Sequence, residues 1–223
     1  MRASVDTNVL IHLYRAEHQH ILFDLFDEGV IIFEQIRNVE LMHHGKEVLQ
    51  KIDDDIHLQK IQLYTLQDLK RLSVDSLFNH YVRENRGLYG TGDLGEVYAI
   101  SLAQTLGAYS LVTDDIKQGG PYMSLLHFED DVMPFTFSDV VILLYLVGKC
   151  DVQQAVRTFN DINKSSSLNW SFNSHLSRFI RRFFSDPYRE EDTKWMNDLV
   201  IKKNIKIRSM LYALRDEINR QTS

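Results

Sequence analysis

The chain has 223 residues, 44% of them hydrophobic, 25% charged and 11% aromatic, a composition that excludes intrinsic disorder, collagen-like repeats and a disulfide-stapled miniprotein. That length suits one large domain, or one domain with a helical extension. The net charge of −6 is unevenly divided: residues 1–150 carry 12 Lys and Arg against 22 Asp and Glu, a net −10, while residues 151–223 carry 13 against 9, a net +4. An acidic body can hold cations and a basic region can hold phosphates.

In chain order, residues 3–5 predict a short strand, followed by a helix from near Asn8 with Leu10, Ile11 and Tyr14 on one side. Gly29 breaks the preceding helix, and the β-branched run of residues 30–33 predicts the second strand. Residues 36–51 predict a helix, since Ile36, Val39, Glu40, His43, Val48 and Leu49 follow a spacing near 3.6. Residues 61–66 predict a third strand and 67–83 a helix. Residues 91–107 predict another helix, with Leu94, Val97, Ala99, Ile100, Leu102, Ala103 and Leu106 inward. Strands are expected over 109–113 and 132–136. This alternation argues for a parallel sheet with helices on both faces, an α/β fold.

From about Ser138 no strand pattern remains. Helices are expected over 138–149 and 151–163, then an amphipathic helix with Phe172, Leu176, Phe179, Ile180, Phe183 and Phe184, ended by Pro187. A last helical stretch over 190–220 repeats Ile207, Leu211, Leu214 and Ile218. The expected architecture is an α/β body followed by an all-helical C-terminal part.

Cys150 is the single cysteine, so no internal disulfide or metal–thiolate cluster is available and a reducing compartment is expected. The start of the chain lacks the features of a signal peptide, and the longest apolar run, residues 140–147, falls far short of a bilayer span. A cytoplasmic protein with no membrane association is the expectation. His43-His44 is the only adjacent histidine pair, and no HExxH spacing occurs.

In parallel sheets ligands sit beyond the carboxyl ends of the strands, where strand order reverses. Acids stand at those positions here. Asp6 follows the first strand, Glu40 lies in the helix after the second, Glu96 opens the long helix, and Asp114 and Asp115 follow the fourth strand. Each also has a plainer reading. Asp6 suits an N-cap, Glu40 a solvated helix face, Asp93 with Glu96 a capping box, and Asp114-Asp115 a turn. Taken together, one acid near each strand end points to a common site. Crowded carboxylates repel and take up protons unless a cation compensates. Hard divalent ions, Mg²⁺ or Mn²⁺, suit such oxygen ligands and would activate water for phosphodiester hydrolysis. An aspartyl-nucleophile phosphatase would want a second Asp where Asn8 stands, and no Gly-rich turn follows the first strand to bind a dinucleotide.

Val5-Asp6-Thr7-Asn8-Val9-Leu10, Glu40-Leu41, Gly95-Glu96-Val97-Tyr98-Ala99 with Ala103, and Leu111-Val112-Thr113-Asp114-Asp115 occur in this order. Together they resemble the PIN-domain family of metal-dependent nucleases, which includes ribonuclease toxins of bacterial toxin–antitoxin pairs. The resemblance covers about residues 2–136. It implies a Rossmann-like nuclease domain over 1–136, a helical C-terminal extension over 137–223, and Mg²⁺- or Mn²⁺-dependent cleavage of RNA. It further implies Asp6 as the central ligand, Glu40 and Glu96 completing the pocket, and Asp115 or else Asp114 as the acid after the fourth strand. Thr7, Asn8 and Thr113 would be supporting polar groups, and Asp93 is an extra acid that either joins the site or caps. A protein inhibitor acting as antitoxin is an implied partner.

The C-terminal part offers two basic clusters for RNA phosphate contact: Arg178, Arg181 and Arg182, then Lys202, Lys203, Lys206 and Arg208. Interleaved acids favour the plainer reading of solvated helix faces over RNA contact, and binding of an inhibitor or of a second copy of the chain to form a homodimer stays open. A non-catalytic module of the same fold, binding RNA or protein, is the rival function.

Overall fold

Five short strands order the first part of the chain: β1 (Arg2–Val5), β2 (Gly29–Phe33), β3 (Ile61–Tyr64), β4 (Ser110–Val112) and β5 (Met133–Phe135). In the computed structural model, which describes residues 1–89, 94–114, 132–185 and 190–222, every pairing is parallel and the order is β3-β2-β1-β4-β5. The strands are near-continuous apolar runs because both faces of the sheet are covered. Ala3, Val5, Val30, Ile31, Ile32, Leu111 and Val112 are fully buried. The order reverses at β1, which pairs with β2 on one side and β4 on the other. This is a Rossmann-like α/β arrangement, and its crevice lies beyond the carboxyl ends of β1 and β4.

Helices connect β1 to β2, β2 to β3 and β3 to β4. After β1 come α1 (Thr7–Arg15) and α2 (His20–Leu25). After β2 a single helix over 36–51 was expected, and the structure divides it. A π-helical turn, Ile36–Glu40, runs into α3 (Leu41–His44), and α4 (Lys46–His57) begins anew after Gly45. The break has a packing cause: a Cβ on Gly45 would stand 2.9 Å from the Ile11 side chain, so only glycine lets this corner close on α1. The third strand ends at Tyr64 and not at 66, because Thr65 caps the next helix. The Thr65 hydroxyl accepts from the Asp68 amide while the Asp68 carboxylate accepts from the Thr65 amide. The helix expected over 67–83 is likewise two, α5 (Leu66–Arg71) and α6 (Asp75–Tyr89), separated by Ser73 at φ 60°.

The central helix is α7 (Leu94–Leu106), which packs on β1, β2 and β4 and against the π-helical turn. Its face pattern is apolar almost all round, with Val97, Ala99, Ile100, Leu102 and Ala103 fully buried, as expected of a helix enclosed on most sides.

The chain divides into two compact units, Met1–Thr136 and Phe137–Ser223. Every regular element among the described residues of the second is a helix: Phe137–Leu146, Val152–Ser165, Phe172–Ile180 continued by a π-helical turn Arg181–Ser185, Glu190–Lys203 and Ile207–Thr222. The stretch expected as one pattern over 190–220 is two helices, with Asn204 in the left-handed region at φ 51° between them. An aromatic cluster of Phe137, Phe159, Trp170 and Phe172 forms its core, with ring centroids 4.1–5.5 Å apart. Among the described residues no helix is long and apolar enough to cross a membrane.

Candidate functional site

The first acid sits where the sheet changes direction. Asp6 follows β1, its amide donates to the Val112 carbonyl of β4 at 2.9 Å, and it occupies the N-cap position of α1. Its carboxylate makes no capping hydrogen bond. Thr113, the residue after β4, instead donates its hydroxyl to Asp6 Oδ2 at 3.3 Å. The capping explanation of Asp6 therefore fails at the side chain: the residue is only 3% exposed and its carboxylate is held from the neighbouring strand end.

The second acid arrives through the π-helical turn. Glu40 closes that turn, and Gln35 Nε2 donates to Glu40 Oε1 at 3.0 Å. Residues five apart do not face one another on an α-helix; the wider turn brings this pair together, a geometry frequent at functional sites. Glu40 is half-buried, not a fully solvated surface glutamate.

Gly95 shows how close these groups are. A Cβ built on it would stand 3.3 Å from Asp6 Oδ1, 3.3 Å from Thr7 Oγ1 and 3.6 Å from Glu40 Cδ. The first turn of α7 thus lies against both carboxylates, and the following residue, Glu96, is buried at 3% exposure. Asp114 is also buried, and its Oδ2 lies 2.9 Å from His12 Nδ1 on α1. Asn8, by contrast, is exposed. Asp93 and Asp115 lie outside the described residues.

Among the described residues, two buried polar atoms beside these acids have no hydrogen-bond partner: Thr7 Oγ1 and Gln35 Oε1. A buried polar atom left unsatisfied costs free energy, about 1–3 kcal/mol in protein data, so both suit a bound water, ion or ligand oxygen. The donors gathered here are carboxylate, hydroxyl and amide oxygens, the chemistry of a hard divalent cation. Among the described residues, however, no three His, Cys, Asp or Glu side chains stand in a metal-holding group.

Sequence patterns did not single out Gln35 or His12. The i, i+5 spacing of Gln35 and Glu40 falls outside helical periodicity, and His12 and Asp114 are 102 positions apart. Gly95 was visible in the Gly95-Glu96 pair, but its close approach to Asp6 and Glu40 exists only in the fold.

The basic residues expected to touch RNA divide sharply. Arg178, Arg181, Lys202 and Lys203 are exposed, as are Lys206 and Arg208. Arg182 is a correction. Its side chain is fully buried, Nε donates to Asp192 Oδ2 at 2.7 Å, Asp139 Oδ2 stands 3.8 Å from Nη1, and the guanidinium lies 4.6 Å from the Phe183 ring centroid. It is the internal counter-charge of two buried carboxylates and has no phosphate to reach. The helical pattern itself put Arg182 beside the phenylalanine stripe.

No protein-family model matches the chain, and no curated protein and no solved structure matches it.

Proposed function

We propose that this chain is a metal-dependent endoribonuclease that hydrolyses RNA phosphodiester bonds at the carboxyl ends of β1 and β4, in the manner of the PIN-domain nucleases its motifs resemble. One observation carries the reading: Asp6, Thr7 and Glu40 converge on Gly95 at the point where strand order reverses. Asp6, Glu40 and Glu96, with Asp115 or Asp114, would hold Mg²⁺ or Mn²⁺, which when bound supplies a water of lowered pKa and positive charge beside the scissile phosphate.

The chain's own groups do the rest. Thr113 fixes the Asp6 carboxylate through Oδ2, leaving Oδ1 toward Thr7 and Gly95. Gln35 fixes Glu40. The Thr7 hydroxyl, without a hydrogen-bond partner among the described residues, is a donor for a phosphate oxygen or an acceptor for the attacking water. Burial of Asp6, Glu96 and Asp114 strengthens every electrostatic contact made there. Hydrolysis by water needs no covalent protein nucleophile, in keeping with a crevice built from carboxylates.

The biological setting that the resemblance suggests is a cytoplasmic toxin or defence ribonuclease restrained by a protein inhibitor. A neighbouring open reading frame encoding a DNA-binding, antitoxin-like protein would support it. The second reading, a non-catalytic module of this fold that binds RNA or protein, is favoured by the lack of a three-residue metal group among the described residues.

The deciding experiment is cleavage of labelled single-stranded RNA and tRNA with Mn²⁺, with Mg²⁺ and with EDTA, alongside Asp6→Asn. Cutting that needs the cation and falls by about 100-fold or more in the variant is expected, since even outer-shell changes at metal sites cost 10–100-fold. No cutting together with no calorimetric metal binding would leave the binding-module reading.

A further inference from the structure

Three of the six arginines in Met1–Thr136 are paired with acids, and Arg2 donates to the Gln62 side-chain oxygen at 3.5 Å. Arg15 pairs with Glu47, Arg37 with Asp53 at 2.6 Å and Arg71 with Asp68 at 3.2 Å. Arg83 and Arg86, one turn apart on α6, are different. Among the described residues neither has a carboxylate within ion-pair distance, although this unit is strongly acidic. The glutamate between them, Glu84, is engaged by His80 at 3.3 Å.

Both arginines line a cavity of about 570 Å³ completed by Ser76, Asn79, Val82 and Tyr98. Its wall is rigid. The Tyr98 ring is stacked on Phe33 and on Phe78, with centroids 5.3 and 6.2 Å away, and the Tyr98 hydroxyl accepts from Arg86 Nη2 at 3.2 Å. Arg83 is steadied by its Nε–H donating to the Asn79 carbonyl at 3.2 Å. Among the described residues, each guanidinium thus keeps donors unspent while one of its nitrogens is anchored, an arrangement suited to forked hydrogen bonding to a phosphate.

The cavity also stands next to the acidic crevice. Tyr98 follows Gly95 by three residues on α7, a rise of about 4.5 Å at 1.5 Å per residue. Phe33, stacked on Tyr98, is the last residue of β2, whose carboxyl end leads into the Glu40 turn. An acidic crevice repels a polyanion, so binding needs positive charge close by but outside it.

We propose that this cavity between α6 and α7 is a phosphate subsite that grips the backbone of single-stranded RNA one turn of helix away from the acids. The inference rests on the nuclease reading for the identity of the polyanion. It gives Arg83 and Arg86 the backbone-positioning role, which sets register and affinity without reading bases.

The test is fluorescence-anisotropy binding of a labelled single-stranded RNA oligonucleotide to the full chain in EDTA, over a series of salt concentrations. Arg83→Ala combined with Arg86→Ala is expected to weaken binding by about tenfold or more, as charged hydrogen bonds are lost. The slope of log affinity against log salt should fall by about 1.4, two contacts at about 0.7 each on a single strand. Tyr98→Phe, which keeps the ring stack and removes the anchor of Arg86, should weaken binding by about threefold, one neutral-acceptor hydrogen bond. Arg71→Ala, removing an arginine already paired with Asp68, should change neither affinity nor slope. Arg83 and Arg86 are exposed, so an unchanged melting temperature is expected and separates binding from folding.

Unaltered affinity and slope in the double variant would overturn the proposal, as would an equal loss in Arg71→Ala or an absence of RNA binding by the wild-type chain. Because no bond is cut in EDTA, the two readings separate. RNA held through Arg83 and Arg86 without metal-dependent cleavage retires the nuclease alone; cleavage with binding indifferent to both arginines retires the subsite alone.

Discussion

Gly95→Ala perturbs the crevice with a single methyl group. The new Cβ would meet Asp6 Oδ1 and Thr7 Oγ1 at 3.3 Å and Glu40 Cδ at 3.6 Å. The two 3.3 Å contacts are slightly tighter than ordinary carbon–oxygen packing, so the Asp6 carboxylate and the Thr7 hydroxyl must give by a few tenths of an ångström, while the Glu40 contact is ordinary. For stability the effects oppose one another. Alanine is favoured over glycine in a helix interior by up to about 1 kcal/mol, and less at this second helical position; the crowding costs a similar amount. Net stability should change by less than about 1 kcal/mol in either direction. Function is more sensitive, because a misplacement of about 1 Å at a reacting centre costs on the order of 100-fold. A shift of a few tenths, with a methyl group filling the space between Asp6 and Glu40, should lower cleavage by about tenfold and weaken Mn²⁺ binding with it. The assay is RNA cleavage rate, calorimetric Mn²⁺ affinity and urea denaturation on one preparation. Full activity and unchanged metal affinity would refute the reasoning, since the space beside Gly95 would then not be where the reacting groups sit. Unfolding by several kcal/mol would refute the packing argument instead.

Other outcomes follow from the helical unit. Burial first, and the nearby positive charge of Arg178 second, push the His175 imidazole down to about 4 from its ordinary value near 6.5, with Ser138 Oγ 2.7 Å from Nδ1 and the Trp170 ring stacked at 4.6 Å. Between those values the unfolded chain binds the proton and the folded chain does not, so the contribution to stability is complete above about pH 6.5 and is lost as pH falls toward 4. At pH 5 the loss is about 2 kcal/mol relative to pH 7.5; urea denaturation at both values should show it, and His175→Gln should flatten that part of the profile. Arg182→Ala leaves Asp192 and Asp139 buried without their counter-charge and should cost about 3–5 kcal/mol. Denaturant unfolding of this variant checks the figure, and a loss of RNA binding that tracks the unfolding would report lost structure, not a lost phosphate contact.

The apolar runs at residues 30–33 and 111–112, alternating with helical periods, were enough to read a parallel α/β body, because strands buried on both faces must be apolar throughout. Asp6, Glu96 and Asp114 were legible as polar residues at the ends of such strands or opening the central helix. The aromatic stripe of Phe172, Phe179 and Phe183 was legible as core from its spacing. Local breaks were not: the division at Gly45 depends on Ile11, a residue 34 positions away, and nothing near Gly45 in the chain encodes that contact.

Which acids meet was decided only by tertiary structure. Asp6 and Thr113 are neighbours because β1 pairs with β4 in register Val5 to Val112, and Glu40 reaches Gly95 because a π-helical turn packs on α7. Charge shows the same division. Arg182 and Arg83 are the same residue type on amphipathic helices, yet one is sealed against Asp192 while the other lines an open cavity. Sequence spacing reports which face of an element is apolar; the partner that each charge finds depends on what the fold brings against that face, since Coulomb energy is set by distance and burial and not by position along the chain.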